Sequence, residues 1–259
     1  QLGQYQAAIE SFRQLLLEDD SDFGIQVLDH YCNIRAKKLA NEVLGLQPGQ
    51  SILPFRKELE GILNDLNKQM TLGETFNRMT SFGSTYKRAA IIEPTQALSR
   101  EYLEKAAGYY KKAWNKAVKP MDKIYPATSY YTLMYFHCDG AIDAFNSKLA
   151  EEQIEPAVDF LAFWLDEVDH IKFSRSNLWG QLAKIQLNIC KLVIEGVRNG
   201  LLEKILDLYD KQVTRCINIK DLFGEIEHMR FLALMFKRLE RQDHVDAFNK
   251  IRDKLESWM

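Results

Sequence analysis

The chain has 259 residues, 46% hydrophobic and 27% charged, a composition that suits a folded protein and excludes an intrinsically disordered one. Thirty-four Lys and Arg stand against thirty-six Asp and Glu, so a formal charge of −2 gives no general attraction to nucleic acid or to an anionic membrane. No run of about 18 apolar residues is present to span a bilayer, and four widely spread cysteines, Cys32, Cys138, Cys190 and Cys216, read as reduced core residues of a cytoplasmic protein.

The first predicted element is a helix in which Tyr5, Ala8, Ile9, Phe12, Leu15 and Leu16 recur at helical spacing and Gln6, Glu10, Arg13 and Gln14 face water; the acidic break Glu18-Asp19-Asp20 ends it. Residues 22 to 44 predict a second helix or broken pair, and the turn chemistry of Gln47-Pro48-Gly49 predicts a loop to Pro54. Pro54 opens the next helix, striped by Leu59, Ile62, Leu63, Leu66 and Met70, and Thr71 with Glu74 reads as a capping box for the helix after it. That helix carries Gly83, which costs about 1 kcal/mol against Ala and predicts a neighbouring backbone pressed against it; Pro94-Thr95 ends it. Ser99 to Lys119 is a further helix with Leu103, Ala106, Tyr110, Ala113 and Ala117 on one side, stopped by Pro120. Tyr125-Pro126 is expected to begin a helix apolar around almost its whole circumference, and Asp139-Gly140 to turn the chain into Ala141 to Ala150. Helices opened by Pro156 and capped by Ser176 follow, then three more over about Leu201 to Cys216, Leu222 to Arg241 and Val245 to Trp258. Strand alternation is absent, so the expected class is all-α, with antiparallel neighbours joined by short connections.

Gly3, Tyr5, Ala8, Phe12 and the exit at Asp20 resemble the second helix of a tetratricopeptide repeat, a two-helix unit of about 34 residues. Only the back half of one repeat is matched there, so the chain reads as a piece of a longer protein, with residues 1–46 finishing one repeat and residues 54–259 forming a continuous helical-repeat region. Further on stand Phe82-Gly83-Ser84-Thr85-Tyr86-Lys87-Arg88-Ala89-Ala90, Ala107-Gly108-Tyr109-Tyr110-Lys111-Lys112-Ala113-Trp114 and Ile124-Tyr125-Pro126-Ala127-Thr128-Ser129-Tyr130-Tyr131-Thr132-Leu133. In that order these blocks resemble the helical region of bacterial tetratricopeptide proteins related to the TRAF-binding region of the apoptosis signal-regulating MAP kinase kinase kinases. Such regions also occur beside caspase-like CHAT peptidase domains. The resemblance spans roughly residues 55 to 240 and implies a right-handed superhelix of antiparallel helix pairs that binds proteins or regulates an attached effector domain. The stretch from Asp139 to Asn177 lacks the small-and-aromatic signature, and no CHAT-type active site is assignable here.

Chemistry-bearing patterns are few. Glu167-Val168-Asp169-His170 and Glu225-Ile226-Glu227-His228 are Glu-x-x-His motifs on helices, and two of these with two further inward carboxylates would make a ferritin-like di-metal site. The other acidic candidates, Glu42, Glu58, Glu74 and Glu104, sit where solvent-facing or capping roles suffice. His30-x-Cys32 and His137-Cys138 are too close in sequence to converge on one ion without distant partners. No Gly-rich phosphate loop, nucleophile elbow or Cys-x-x-Cys pair is present. The expectation is therefore a module without catalytic residues, metal or cofactor, whose partner is a protein or peptide. If the first helix of each pair lines a concave face, Thr85, Lys87 and Arg88, together with Ser129, Thr132 and His137, are the candidate contact residues.

Overall fold

A computed structural model describes residues 2–17, 24–47, 50–93, 95–171, 178–198, 200–213, 217 and 219–259. The expected breaks and caps at Glu18-Asp19-Asp20, Pro48-Gly49, Pro94, Ser176, Cys216 and Asn218 lie outside these residues. Twelve α-helices and no strand are found among the described residues. The chain divides into two compact units, Gln1–Ala117 and Val118–Met259.

The first unit contains α1 (Leu2–Leu17), α2 (Gly24–Leu44), α3 (Leu53–Gln69), α4 (Phe76–Ile92) and α5 (Gln96–Lys116). Their relative directions follow from which residues meet. Phe12 stacks on His30 while the Lys37 ammonium lies over the Tyr5 ring, so α1 and α2 are antiparallel. Cys32 meets Gln69 and Arg35 meets Asp65, so α3 runs back along α2, and the connection between them lies inside this unit. Ser84 meets Tyr110 while Ala90 meets Ser99, which makes α4 and α5 a second antiparallel pair. Between the pairs the polarity changes: Asp29 meets Arg78 and Asn33 meets Arg88, so α2 and α4 run parallel. Side-by-side parallel first helices, each backed by an antiparallel second helix, are the arrangement of stacked tetratricopeptide units, with α1 standing as the second helix of a preceding unit.

Local chemistry sets several ends differently from expectation. Thr75, not Thr71, caps α4 by accepting from the Arg78 backbone N–H at 3.2 Å, while the Thr71 hydroxyl donates back to the Lys68 carbonyl. The chain turns between them at Gly73, whose φ of +91° lies where a side chain would be strained. Gly83 does permit a close approach, but by a ring rather than a backbone: a Cβ there would lie 2.8 Å from the Tyr110 ring. The closeness lets the buried Tyr110 hydroxyl share a 2.9 Å hydrogen bond with Ser84.

The second unit contains α6 (Pro120–His137), α7 (Ile142–Glu151), α8 (Ala157–His170), α9 (Leu178–Glu195), α10 (Leu201–Leu208) continued by a π-helical turn (Tyr209–Val213), α11 (Ile219–Arg238) and α12 (Gln242–Glu256). Pro120 begins α6 as well as following α5, and Pro126 lies inside α6 rather than at its start. Pro126 forfeits its own i−4 backbone bond near the helix entrance, and two residues on the Thr128 hydroxyl bonds back to the carbonyls of Ile124 and Tyr125. As its all-round apolar pattern predicts, α6 is buried over nearly every side chain from Ile124 to Phe136.

Helices α6, α7 and α11 close alike. The next-turn backbone N–H groups of Gly140, Ile154 and Arg241 bond to the carbonyls of Tyr135, Leu149 and Phe236, with Asp139, Gln153 and Glu240 at positive φ. A short internal repeat accompanies two of these closures. Asp143-Ala144-Phe145-Asn146 recurs as Asp246-Ala247-Phe248-Asn249, and both phenylalanines are fully buried, against Tyr135 and Phe236 respectively. Arg241 ties α6 to the α11–α12 turn, donating to the Tyr135 hydroxyl at 3.1 Å and to the Gly140 carbonyl at 3.0 Å.

Candidate interaction surface

Because α2 and α4 lie in parallel, their facing sides are seamed by polar groups where aliphatic packing would be ordinary. The Arg78 Nε–H is shared between the two oxygens of Asp29 at 3.3 and 3.2 Å, and its Nη1 donates to the Gly73 carbonyl; both side chains are buried. One turn on, Ser81 donates to the Asp29 backbone carbonyl at 3.2 Å, and Arg88 donates to the Asn33 side chain and to the Ser84 carbonyl. Burial pushes the Asp29 carboxyl above its usual range, and the charge and hydrogen bonds of Arg78 oppose that rise. A charge pair of this kind holds two helices in one register, because any slip leaves two buried charges without partners. At the far end of α4, Arg56 of α3 pairs with the buried Glu93 at 3.1 Å, and Glu93 also accepts from the Thr95 hydroxyl and backbone N–H.

The candidate contact residues fall into two sets on this frame. Thr85, Lys87 and Arg88 share α4 in the first unit; Ser129, Thr132 and His137 share α6 in the second. Thr85 is fully buried, its hydroxyl donating to the Ser81 carbonyl at 3.0 Å, because it faces the helix packed beside it. Thr132 is also buried, with its hydroxyl 3.7 Å from the Cys190 sulfur of α9. Arg88 is buried into the seam with Asn33. Lys87, Ser129 and His137 retain part of their surface. Thr85, Thr132 and Arg88 are thus held within the packing, and of the six candidates Lys87, Ser129 and His137 are the ones that keep accessible surface.

Asp29, Asn33, Arg78 and Ser81 carry the seam and are not singled out by residue type. No sequence pattern marks them either, because α2 also carries Gln26, His30, Arg35, Lys37, Lys38, Asn41 and Glu42, and nothing local separates Asp29 and Asn33 from these.

The two Glu-x-x-His motifs are not brought into one site. Glu167 and His170 are exposed on α8, where the His170 ring lies 2.7 Å from the Asp166 carbonyl. Glu225 is buried on α11 and accepts from the Tyr209 hydroxyl at 2.6 Å, across from the π-helical turn. Among the described residues no group of three or more His, Cys, Asp or Glu is placed to hold a metal ion, and no helix is long and apolar enough to cross a membrane.

No curated protein and no solved structure matches the chain. A family profile described as Tetratricopeptide Repeats-Sensor matches residues 4–134, about half of the chain, running from α1 through the parallel seam into α6. Helix pairs of the tetratricopeptide kind and the profile agree: the chain belongs to the Tetratricopeptide Repeats-Sensor family.

Proposed function

We propose that the chain is a non-catalytic interaction module that binds a peptide or protein partner along the first helices of its pairs and regulates an effector domain. The observation that carries this reading is the parallel placement of α2 and α4 by the Asp29–Arg78 pair, which gives a rigid two-helix face of the sort repeat proteins offer to partners. Lys87 on α4 contacts the partner there. Ser129 and His137 serve the same purpose on α6, while Thr85, Arg88 and Thr132 hold the backbone that presents them. The family description includes the word sensor, which supports a regulatory role. The resemblance of residues 55 to 240 to helical regions beside CHAT peptidase domains supports an effector of that class, carried outside this sequence, in the cytoplasm.

Photo-crosslinking tests the reading. Benzoylphenylalanine is placed separately at Lys87, at Ser129 and at the exposed Glu104 of α5, and the full chain is irradiated in source-cell lysate. Capture of one protein from Lys87 or Ser129 but not from Glu104 is expected. Equal capture from all three positions, or from none, overturns the proposal.

A further inference from the structure

Two glycines lie inside the helices of the α4–α5 pair, and the fold explains one of them. Gly83 makes room for the Tyr110 ring. Gly108 stands near the middle of α5 in ordinary helical backbone, is exposed, and a Cβ there would meet nothing within 4 Å. Only proline is less favourable than glycine in a helix interior, and at Gly108 that cost brings the fold no contact in return. Bare backbone on an outer face admits an approach that a side chain would keep out.

We propose that Gly108 is the floor of a docking site for an acidic segment of a partner protein, with an aromatic ring of that segment laid on the backbone of α5. The site lies on the second helix of its pair and is separate from the α2–α4 face. Residues three and four positions away on a helix surround the spot where a side chain would stand. Here they are Glu104, Lys105, Lys111 and Lys112. The Lys105 ammonium reaches over the Tyr102 ring and pairs with Glu101, and that of Lys112 reaches over the Tyr109 ring and pairs with Glu74. Both lysines thus rim the notch without covering it, and Gly108 stays exposed. At Gly83 the same helix pair fills such a notch with a tyrosine ring, so a ring is the shape the backbone of a helical glycine receives.

The charge around the notch chooses between occupants. From Lys105 to Lys116 the sequence holds four lysines and no acidic residue. The Lys105–Glu101 and Lys112–Glu74 pairs are open to solvent, and exposed pairs hold weakly, so both ammoniums can turn to the carboxylates of a partner and to the face of its ring. A basic segment would be repelled, and a second copy laid α5 on α5 would set lysine against lysine. A nucleic-acid strand carries a charge at every phosphate and would meet Glu74, Glu101 and Glu104 among the lysines. A peptide can place its carboxylates only where the lysines stand.

The test uses the whole chain and a fluorescein-labelled peptide with one tryptophan set between runs of glutamate and aspartate. Controls are the same peptide with serine in place of the tryptophan, one with lysine in place of every acidic residue, and labelled oligothymidine. Saturable anisotropy change with the acidic tryptophan peptide alone is expected, and it should weaken with added salt. Gly108→Gln should weaken binding about tenfold or more while raising the urea midpoint of the chain, because a helix-favouring side chain fills the notch at an exposed position. Lost binding in a more stable chain excludes damage to the fold as its cause. Lys105→Gln with Lys112→Gln should weaken binding as well. The proposal is overturned if Gly108→Gln or the double lysine variant binds within about twofold of the parent. Equal binding of the serine peptide or of oligothymidine, no binding of the acidic tryptophan peptide, or a urea midpoint that Gly108→Gln fails to raise overturns it too. Glu104 borders the notch, so a protein captured from Glu104 and not from Lys87 belongs to this second surface. Crosslinking from Lys87 is unaffected by Gly108→Gln, so the two proposals fail independently.

Discussion

Arg78 shares its Nε–H between both carboxylate oxygens of Asp29 inside the first unit, 49 residues apart in sequence, and this buried pair bridges the parallel helices α2 and α4 beside the Ser81–Asp29 and Arg88–Asn33 bonds. Removing one partner strands the other as a buried charge. Asp29→Ala is expected to cost about 3–5 kcal/mol in urea unfolding. Replacing the pair together, as Asp29→Leu with Arg78→Met, should recover most of that loss. Losses in the double variant equal to the sum of the single ones would show that the residues do not act as a pair.

Gly83 exists in α4 because the Tyr110 ring occupies the space of a side chain. Ala at this position would raise helix propensity by about 1 kcal/mol, yet the 2.8 Å clash should reverse the sign and make Gly83→Ala destabilising by about 1–3 kcal/mol. In a Tyr110→Leu background the same substitution should cost less, since the narrower side chain can shift. A double-mutant cycle with no coupling would contradict the contact.

Buried thiols and phenols make the fold sensitive to alkali. Burial pushes Cys32 up to about 11, from an ordinary thiol value of 9.0, and Cys190 up to about 12; Tyr86 rises to about 12, and Tyr131 is raised further by burial and by the Glu155 charge. An unfolded chain releases these protons from about pH 9 upward while the folded chain retains them, so the unfolded form binds fewer protons and stability falls with rising pH. The urea midpoint should therefore decline steadily from about pH 9 to about pH 11, and decline less in a Cys32→Ala, Cys190→Ala chain. A midpoint independent of pH over that range would contradict the burial of these groups. In native alkylation near pH 8, Cys138, which is only half-buried, should be labelled well before Cys32 and Cys190.

Arg241 links two helix turns through the Tyr135 hydroxyl and the Gly140 carbonyl. Arg241→Ala should destabilise the second unit by about 1–3 kcal/mol. Arg241→Lys should restore little, because a single ammonium cannot reproduce the fork that meets both acceptors. Amide exchange in the turns after α6 and α11 should accelerate together; acceleration in only one of them would sever the proposed link.

Helical class was legible in the sequence by itself, because it rests on short-range periodicity: Leu59, Ile62 and Leu66 line one side of α3, and the run from Tyr130 to Phe136, apolar but for Thr132, foretold a helix packed around almost its whole circumference. The tetratricopeptide character was legible too, in the small and aromatic residues of α1. Only the tertiary structure decided which polar residues face inward. Thr85 and Lys87 are two positions apart and look alike in a sequence, yet one is sealed against a neighbouring helix and the other reaches solvent. The parallel placement of α2 and α4 through Asp29 and Arg78 was likewise invisible, since a charge pair formed across 49 residues depends on where distant helices come to rest and not on any local preference.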